Sequence, residues 1–328
     1  MSKKKFRYIF LWCMAMVIIS GCQQASGHKT AYLAHNLPIS HPVHKGMEVL
    51  AEELAKRSDG KFTIQIFPDG QLGAEREVLE LLQIGSIAMT KVSSAAMANF
   101  APEYKVFGLP YLFRDSSHFF NVLEGTIGQN ILAGGSDYLL KGLCFYDAGS
   151  RSFYTKTKPV ITPSDLKGMK IRVMNDQMSV DMVNAMGASA TPMAYGELYT
   201  AIQQGVVDGA ENNPPSFVTS RHYEVCKYYS LDEHSMLPDV LVIGIKYWNT
   251  LNDQEKEWLT TSAKISADAQ KIFWADNVRE SMKILKDAGV QIKVLDKQLF
   301  AEKASSVLQK FNEDPTMKKL VDSIIQHQ

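Results

Sequence analysis

From residue 30 onward, short branched runs alternate with amphipathic helical stretches, and that order narrows the fold class more than any other feature. Residues 30–34 read as a first buried strand. Residues 41–57 carry a helical pattern with Val43, Met47, Leu50, Ala51 and Leu54 on one face, stopped by Asp59 and Gly60. Residues 61–67 (KFTIQIF) alternate as a second strand, and Pro68, Asp69 and Gly70 turn the chain. Residues 75–84 are helical again, and 87–92 form a third strand. A β-α-β-α-β order predicts a parallel sheet with right-handed crossovers. Ligands on such sheets sit beyond the carboxyl ends of the strands. His35 and Asn36 follow the first strand at that end, and Lys91 and Ser93 close the third.

Residues 102–113 (PEYKVFGLPYLF) read as a core-lining loop, and 116–138 as two short helices parted by Gly125. Strands at 143–146 and 152–155 flank residues 147–151, a suitable crossing to a second lobe. That lobe repeats the alternation. Thr162, Pro163 and Asp165 carry a helix-start signature. A strand is expected at 169–174, helices at 178–186 and 195–204, and a strand at 206–210. Pro214 and Pro215 then predict an extended exit. A strand at 240–245 returns to the first lobe. Asn252 and Glu255 cap a helix running to about Ala288, with Trp258, Ile265, Ala269, Ile272 and Phe273 near one stripe. About 35 residues of helix span roughly 50 Å, enough to lie across both lobes. A strand at 291–295 and a helical tail at 298–325 complete a two-lobed α/β fold with a cleft between the lobes. The expected division is 30–149 with 238–277 in lobe I, and 150–237 with 278–328 in lobe II.

The N-terminus reads as a processing signal. Lys3, Lys4, Lys5 and Arg7 precede an apolar run at 9–19, too short for a comfortable membrane span. It ends in Ile19, Ser20, Gly21 and Cys22, a lipobox-like string. Residues 1–21 are therefore expected to be a lipoprotein signal, Cys22 the lipidated residue, and 22–29 a tether; an ordinary cleaved leader is the alternative. Cys13 leaves with the leader, and Cys144 and Cys226 are expected as buried free thiols rather than a disulfide. Lysine plus arginine equal aspartate plus glutamate at 35 each, which removes any general case for nucleic-acid binding.

Residues 149–215 carry the chemistry. Arg151 and Arg172 lie in strand-like runs, and a polar turn is expected at 208–213 with Asn212 and Asn213. Two guanidinium forks beside side-chain amides suit a carboxylate on a hydroxyl-rich small molecule. The segment offers no nucleophile with its base and no metal cage. Nor does the chain hold GxSxG, P-loop, CxxC, HExxH or GxGxxG motifs, so neither an enzyme nor a cofactor is expected. His41 and His44 lie one helical turn apart, but without a third ligand they read as a cap and a surface histidine. Met169, Met174, Met178, Met182 and Met186 read as core filler. Glu211 is expected to orient Arg172, and Phe153 or Tyr195 to offer an aromatic face to the ligand.

Several stretches in one order resemble the substrate-binding proteins of tripartite ATP-independent periplasmic (TRAP) transporters, the DctP-type branch. They are FPDGQLG (67–73), FGLPYLFRD (107–115), DLKGMKIRV (165–173), GASATPMAYGELYTAIQQGVVDGAEN (187–212) and HYEVCKYYSLDEH (222–234). The resemblance implies a periplasmic-binding-protein-like fold that hands its ligand to TRAP membrane permease subunits. It implies that Arg172 pairs with the ligand carboxylate, that Arg151 and Asn212 assist, and that Asn36 and Asn175 contact the distal hydroxyls. Closure would bring His35, Asn36, Lys91 and Ser93 against Arg151, Asn175, Asn212 and Asn213. Lys91, Asn213 and Asp239 add polar capacity beyond a simple dicarboxylate site. RSFYT, AENNPPSF and DEHSM resemble the members that bind hexuronates; sialic acid, an aldonate, a C4-dicarboxylate, or an ABC-type or sensory lipoprotein are the alternatives. The expected protein is a monomer in the periplasm, touching membrane only through its lipid.

Overall fold

The computed structural model describes residues 28–327, so the signal segment, Cys13 and Cys22 lie outside the described residues. The strands are β1 (Lys29–Ala34), β2 (Phe62–Phe67), β3 (Met89–Ser93), β4 (Leu140–Tyr146), β5 (Ser150–Thr155), β6 (Lys170–Val173), β7 (Ser189–Pro192), β8 (Gly209–Asn212), β9 (Tyr228–Met236), β10 (Asp239–Gly244) and β11 (Gln291–Val294). They form two sheets, in the orders β2-β1-β3-β10-β4 and β11-β9-β5-β8-β6-β7. β1 pairs parallel with β2 from Lys29↔Phe62 to Ala34↔Phe67, and parallel with β3. β10 then inserts antiparallel to β3, with Asp239 opposite Ser93.

The first sheet is served by α1 (Pro42–Arg57), α2 (Glu75–Ile84), α3 (Ser94–Met97), α4 (Ser116–Glu124) and α5 (Thr126–Gly134). α6 (Gln177–Ala185), α7 (Leu198–Gln204), α8 (Pro214–Thr219) and α9 (His222–Val225) belong with the second. α10 (Ile245–Trp248), α11 (Asp253–Asp287), α12 (Lys297–Phe311) and α13 (Pro315–Gln326) follow. α11 starts on a capping box. Asn252 Oδ1 accepts from Glu255 N at 2.9 Å, and Glu255 accepts from Asn252 N at 2.8 Å. Leu259, Ala263, Ala267 and Trp274 of α11 pack with Val43, Met47, Leu50 and Leu54 of α1 in the core under the first sheet. Leu285, in its last turn, packs with Tyr154, Ile202 and Phe217 of the second. One helix thus joins two hydrophobic cores.

The buried line on α11 runs through Leu259, Ser262, Ala263, Ser266, Ala267, Gln270 and Trp274 to Ser281 and Leu285, one step off the expected stripe, and Ile272 is exposed. Small and polar side chains face inward because α1 comes close. A Cβ on Gly46 would sit 2.8 Å from the Gln270 Cβ. Gln270 also clasps the crossing between β4 and β5, accepting from Asp147 N and donating to Asp147 O, both at 2.8 Å. Gly149, at φ +59, passes within 3.0 Å of the Trp274 ring as measured from its would-be Cβ. That left-handed backbone and close approach both call for glycine.

Four further expectations need correction. Residues 209–212 form a strand rather than a turn, because β5 and β6 flank them and all four are buried. Pro214 and Pro215 open α8 instead of an extended exit: proline suits the first helical position, and Asn213 Oδ1 caps Ser216 N at 2.8 Å. The C-terminal tail breaks into α12 and α13 where Asp314 caps a new start at Pro315. β7 and β9 are additional strands; β9 runs through Asp232, Glu233 and His234, whose polarity hides it from a hydrophobic pattern. Cys144 and Cys226 are buried free thiols.

Candidate functional site

Strand ends from both sheets converge on one cavity of about 290 Å³. From the first sheet come Asn36 and Leu37 after β1, Lys91 and Ser93 of β3, Asp239 at the start of β10, and Glu75, the first residue of α2. From the second come Arg151 of β5, Arg172 of β6 with Met174 and Asn175 after it, Asn212 of β8, and Asn213. Tyr195 and Met193 close one side. Among the described residues no group of three or more His, Cys, Asp or Glu side chains is disposed to hold a metal ion.

Arg172 is 2 % exposed. Its Nε and Nη2 donate to Met193 O at 3.1 and 2.8 Å, while buried Nη1 has no partner. The Tyr195 ring lies 5.7 Å from its Cζ. Burial pushes the Arg172 pKa below its ordinary value, against the partly opposing influence of Tyr154 and Glu211. A guanidinium nonetheless stays charged in proteins, so this is a buried cation with an open donor. An arrangement of that kind is costly until an anion fills it.

Arg151 differs. It pairs with Glu211 through Nε at 2.5 Å and Nη2 at 2.9 Å, and donates from Nη1 to Asn212 Oδ1 at 2.9 Å. Glu211 therefore serves Arg151 and not Arg172, contrary to expectation: both neighbours of β8 carry an arginine, but the Arg172 fork is turned to Met193 O instead. Behind Glu211 stands His234, with Nε2 3.4 Å from Glu211 Oε2 and Nδ1 2.8 Å from Asp232 Oδ2. Burial alone would lower the His234 pKa, yet Asp232 and then Glu211 outweigh it and lift it to about 9. Burial likewise opposes ionisation of Glu211, but the Arg151 charge prevails and brings it to about 2. Arg151, Glu211, His234 and Asp232 thus alternate in sign across the floor of the site.

On the facing wall Lys91 is 2 % exposed, 3.3 Å from Asp239 Oδ2 and 3.7 Å from Glu75 Oε1. Glu75 Oε1 also accepts from Ser93 N at 3.0 Å. The Asn36 Oδ1 is buried and unpaired. His41 caps α1 and brings Nε2 to 3.2 Å from Ser216 Oγ of α8, linking the two walls.

Of the residues expected at the site, Arg172, Arg151, Asn212, Asn213, Asn175, Asn36, Lys91, Ser93, Asp239 and Tyr195 line the cavity. His35 does not. It sits behind the wall, with Nε2 2.9 Å from His44 Nδ1 and Nδ1 accepting from Leu37 N at 3.1 Å, and burial, then Lys91, lowers its pKa to about 2. His44 is accordingly buried rather than on the surface. Phe153 is core: it is fully buried, 4.8 Å from the His234 ring and packed near Phe300. Asn213 lines the cavity with its amide committed to the α8 cap and to Ala148 O at 3.0 Å. Glu75, Asn99, His41 and Ser216 line it without having been expected there. Glu75 and Asn99 carry no signal beyond ordinary helix-end polarity.

The family model described as DctP, bacterial extracellular solute-binding protein, family 7, matches residues 33–314. A solute-binding protein of Chromohalobacter salexigens is 35 % identical over 289 residues, 88 % of this chain and 86 % of its own length. A TRAP periplasmic solute-binding protein of Bradyrhizobium sp. BTAi1, solved in complex with α/β-D-galacturonate, is 40 % identical, with a TM-score of 0.89 over 90 % of this chain and 99 % of its own. Another, from Anaerococcus prevotii with bound α/β-D-glucuronate, is 32 % identical, with a TM-score of 0.89 over 91 % and 98 %.

Proposed function

Since the chain belongs to the DctP family of bacterial extracellular solute-binding proteins, the periplasmic receptors of TRAP transporters, we propose that its ligand is a hexuronate held through Arg172. One observation carries this reading: a buried guanidinium with an unpartnered Nη1 opens into a cavity of about 290 Å³. That volume lies at the small end of ligand pockets, which suits one sugar ring and not an oligosaccharide. Relatives of known structure hold galacturonate and glucuronate in the same fold.

The ligand carboxylate accepts from Arg172 Nη1. Arg151, fixed by Glu211, offers its remaining Nη1 hydrogen, and Asn212, whose Oδ1 serves Arg151, offers its amide NH₂. Asn36, Asn175, Lys91, Ser93 and Asp239 meet the ring hydroxyls, each of which would cost about 1–3 kcal/mol if buried unpaired. Tyr195 supplies an apolar ring face beside Arg172. Asn213 acts through the backbone it fixes. Because ligand contacts come from both sheets, binding favours the closed arrangement of the lobes. We assign 30–149 with 238–277 to one lobe and 150–237 with 278–314 to the other, so that the expected boundary at 328 shortens. α13 returns from the second, with Val321 and Ile324 in the core around Phe107 and Phe119.

The receptor passes the acid to its permease as a monomer, tethered to the membrane by lipid on Cys22. A thermal-shift panel of galacturonate, glucuronate, sialic acid, gluconate and succinate tests the ligand class. Uronates should raise Tm most, and a larger rise with succinate or sialic acid would replace the assignment.

A further inference from the structure

The two cavity walls differ in charge. On one, Arg172 is a cation with no carboxylate within ion-pair distance among the described residues. On the other, one cation, Lys91, stands between two carboxylates, Asp239 at 3.3 Å and Glu75 at 3.7 Å, which leaves that wall with one net negative charge when both are ionised. Each carboxylate turns one oxygen to Lys91, so Glu75 Oε2 and Asp239 Oδ1 remain as acceptors at the cavity surface. Burial, reinforced by Asp239, raises the Glu75 pKa above its ordinary value, against the opposing influence of Lys91, of the Ser93 N–H and, least, of Arg172 across the cavity. The ammonium of Lys91 is already neutralised and is no second anchor for an anion.

We propose that Glu75, together with Asp239, is the specificity gate of the site: it accepts from the distal hydroxyls of a monocarboxylate and rejects ligands bearing a second carboxylate at the far end. Two terminal acids would set one carboxylate on Arg172 and the other against Glu75 and Asp239, where like charge and desolvation act together. A ring or chain that ends in hydroxyl groups meets only acceptors. This inference rests on Arg172 holding the acid head, as proposed above, and identifies the ligand class as acids with a single charge.

Calorimetry on length-matched pairs tests it: galacturonate against galactarate, gluconate against glucarate, and erythronate against tartrate. The wild-type chain should prefer the monoacid by about 100-fold or more in whichever pair binds. Glu75→Gln keeps the acceptor for Ser93 N and should narrow that ratio to about tenfold or less, mainly by improved diacid binding. Asp239→Asn should act in the same direction, with Tm measured on both variants as the folding control. Equal affinity for both members of a pair in the wild type, or an unchanged ratio in folded Glu75→Gln, overturns the gate. Binding of erythronate but not galacturonate, with the monoacid preference kept, overturns the hexuronate reading alone. Binding of no member of any pair overturns both.

Discussion

Titrating His234 should unload a measurable part of the fold. The side chain is fully buried between Asp232 and Glu211, and its pKa stands near 9 against an ordinary 6.5. At about 1.4 kcal/mol per pH unit that difference is worth about 3 kcal/mol. The folded pKa is raised, so the contribution is complete below pH 6.5 and is lost as pH climbs through about 9. Urea denaturation at steps from about pH 6 to pH 9.5 should show this fall in the wild-type chain. His234→Gln cannot titrate there, and its curve should be lower at neutral pH and flatter above it. Buried thiols and tyrosines that ionise at alkaline pH are common to both proteins and cancel in the difference. Parallel curves across the window would refute the assignment of a charged imidazole to this network.

Gly149→Ala should lower stability by about 1–3 kcal/mol, since alanine at a left-handed φ would also meet the Trp274 ring; an unchanged Tm would show that the crossing can yield. Asn252→Ala removes one half of the α11 capping box and should cost about 1 kcal/mol in urea denaturation, whereas a neutral result would mean that the first turn is held by packing alone. Cys22→Ser should abolish incorporation of labelled fatty acid and release the protein from the membrane fraction, and label retained in the variant would place any lipid elsewhere.

Where burial follows hydrophobic period, the elements are plain in the sequence: α2 occupies 75–84 as its Val78, Leu79 and Leu82 spacing requires, and α1 begins one residue after its capping His41. Where burial follows charge pairing, they are not. β8 and β9 are built around Glu211, Asn212, Asp232 and His234, of which Glu211 and Asn212 are satisfied by Arg151 of β5 and Glu211 also by His234, contacts between strands that no local window joins. The inward line of α11 is hidden for a related reason, because serines and Gln270 allow the close approach of α1 that larger apolar residues would prevent. In the site, the paired arginines announce themselves through residue type and setting. Glu75 does not, since an acid in a first helical turn has an ordinary explanation in the helix dipole. His35 stands at a strand end, the position where ligands are usually met, yet its ring turns inward to His44.

Calorimetry of galacturonate on the wild type and on Arg172→Ala tests the proposal that Arg172 holds the ligand's acid group. Loss of this partner should weaken binding by about 3–5 kcal/mol, at least about 100-fold, in a variant that still melts cooperatively. A dissociation constant within about threefold of the wild type would mean that another group holds the acid.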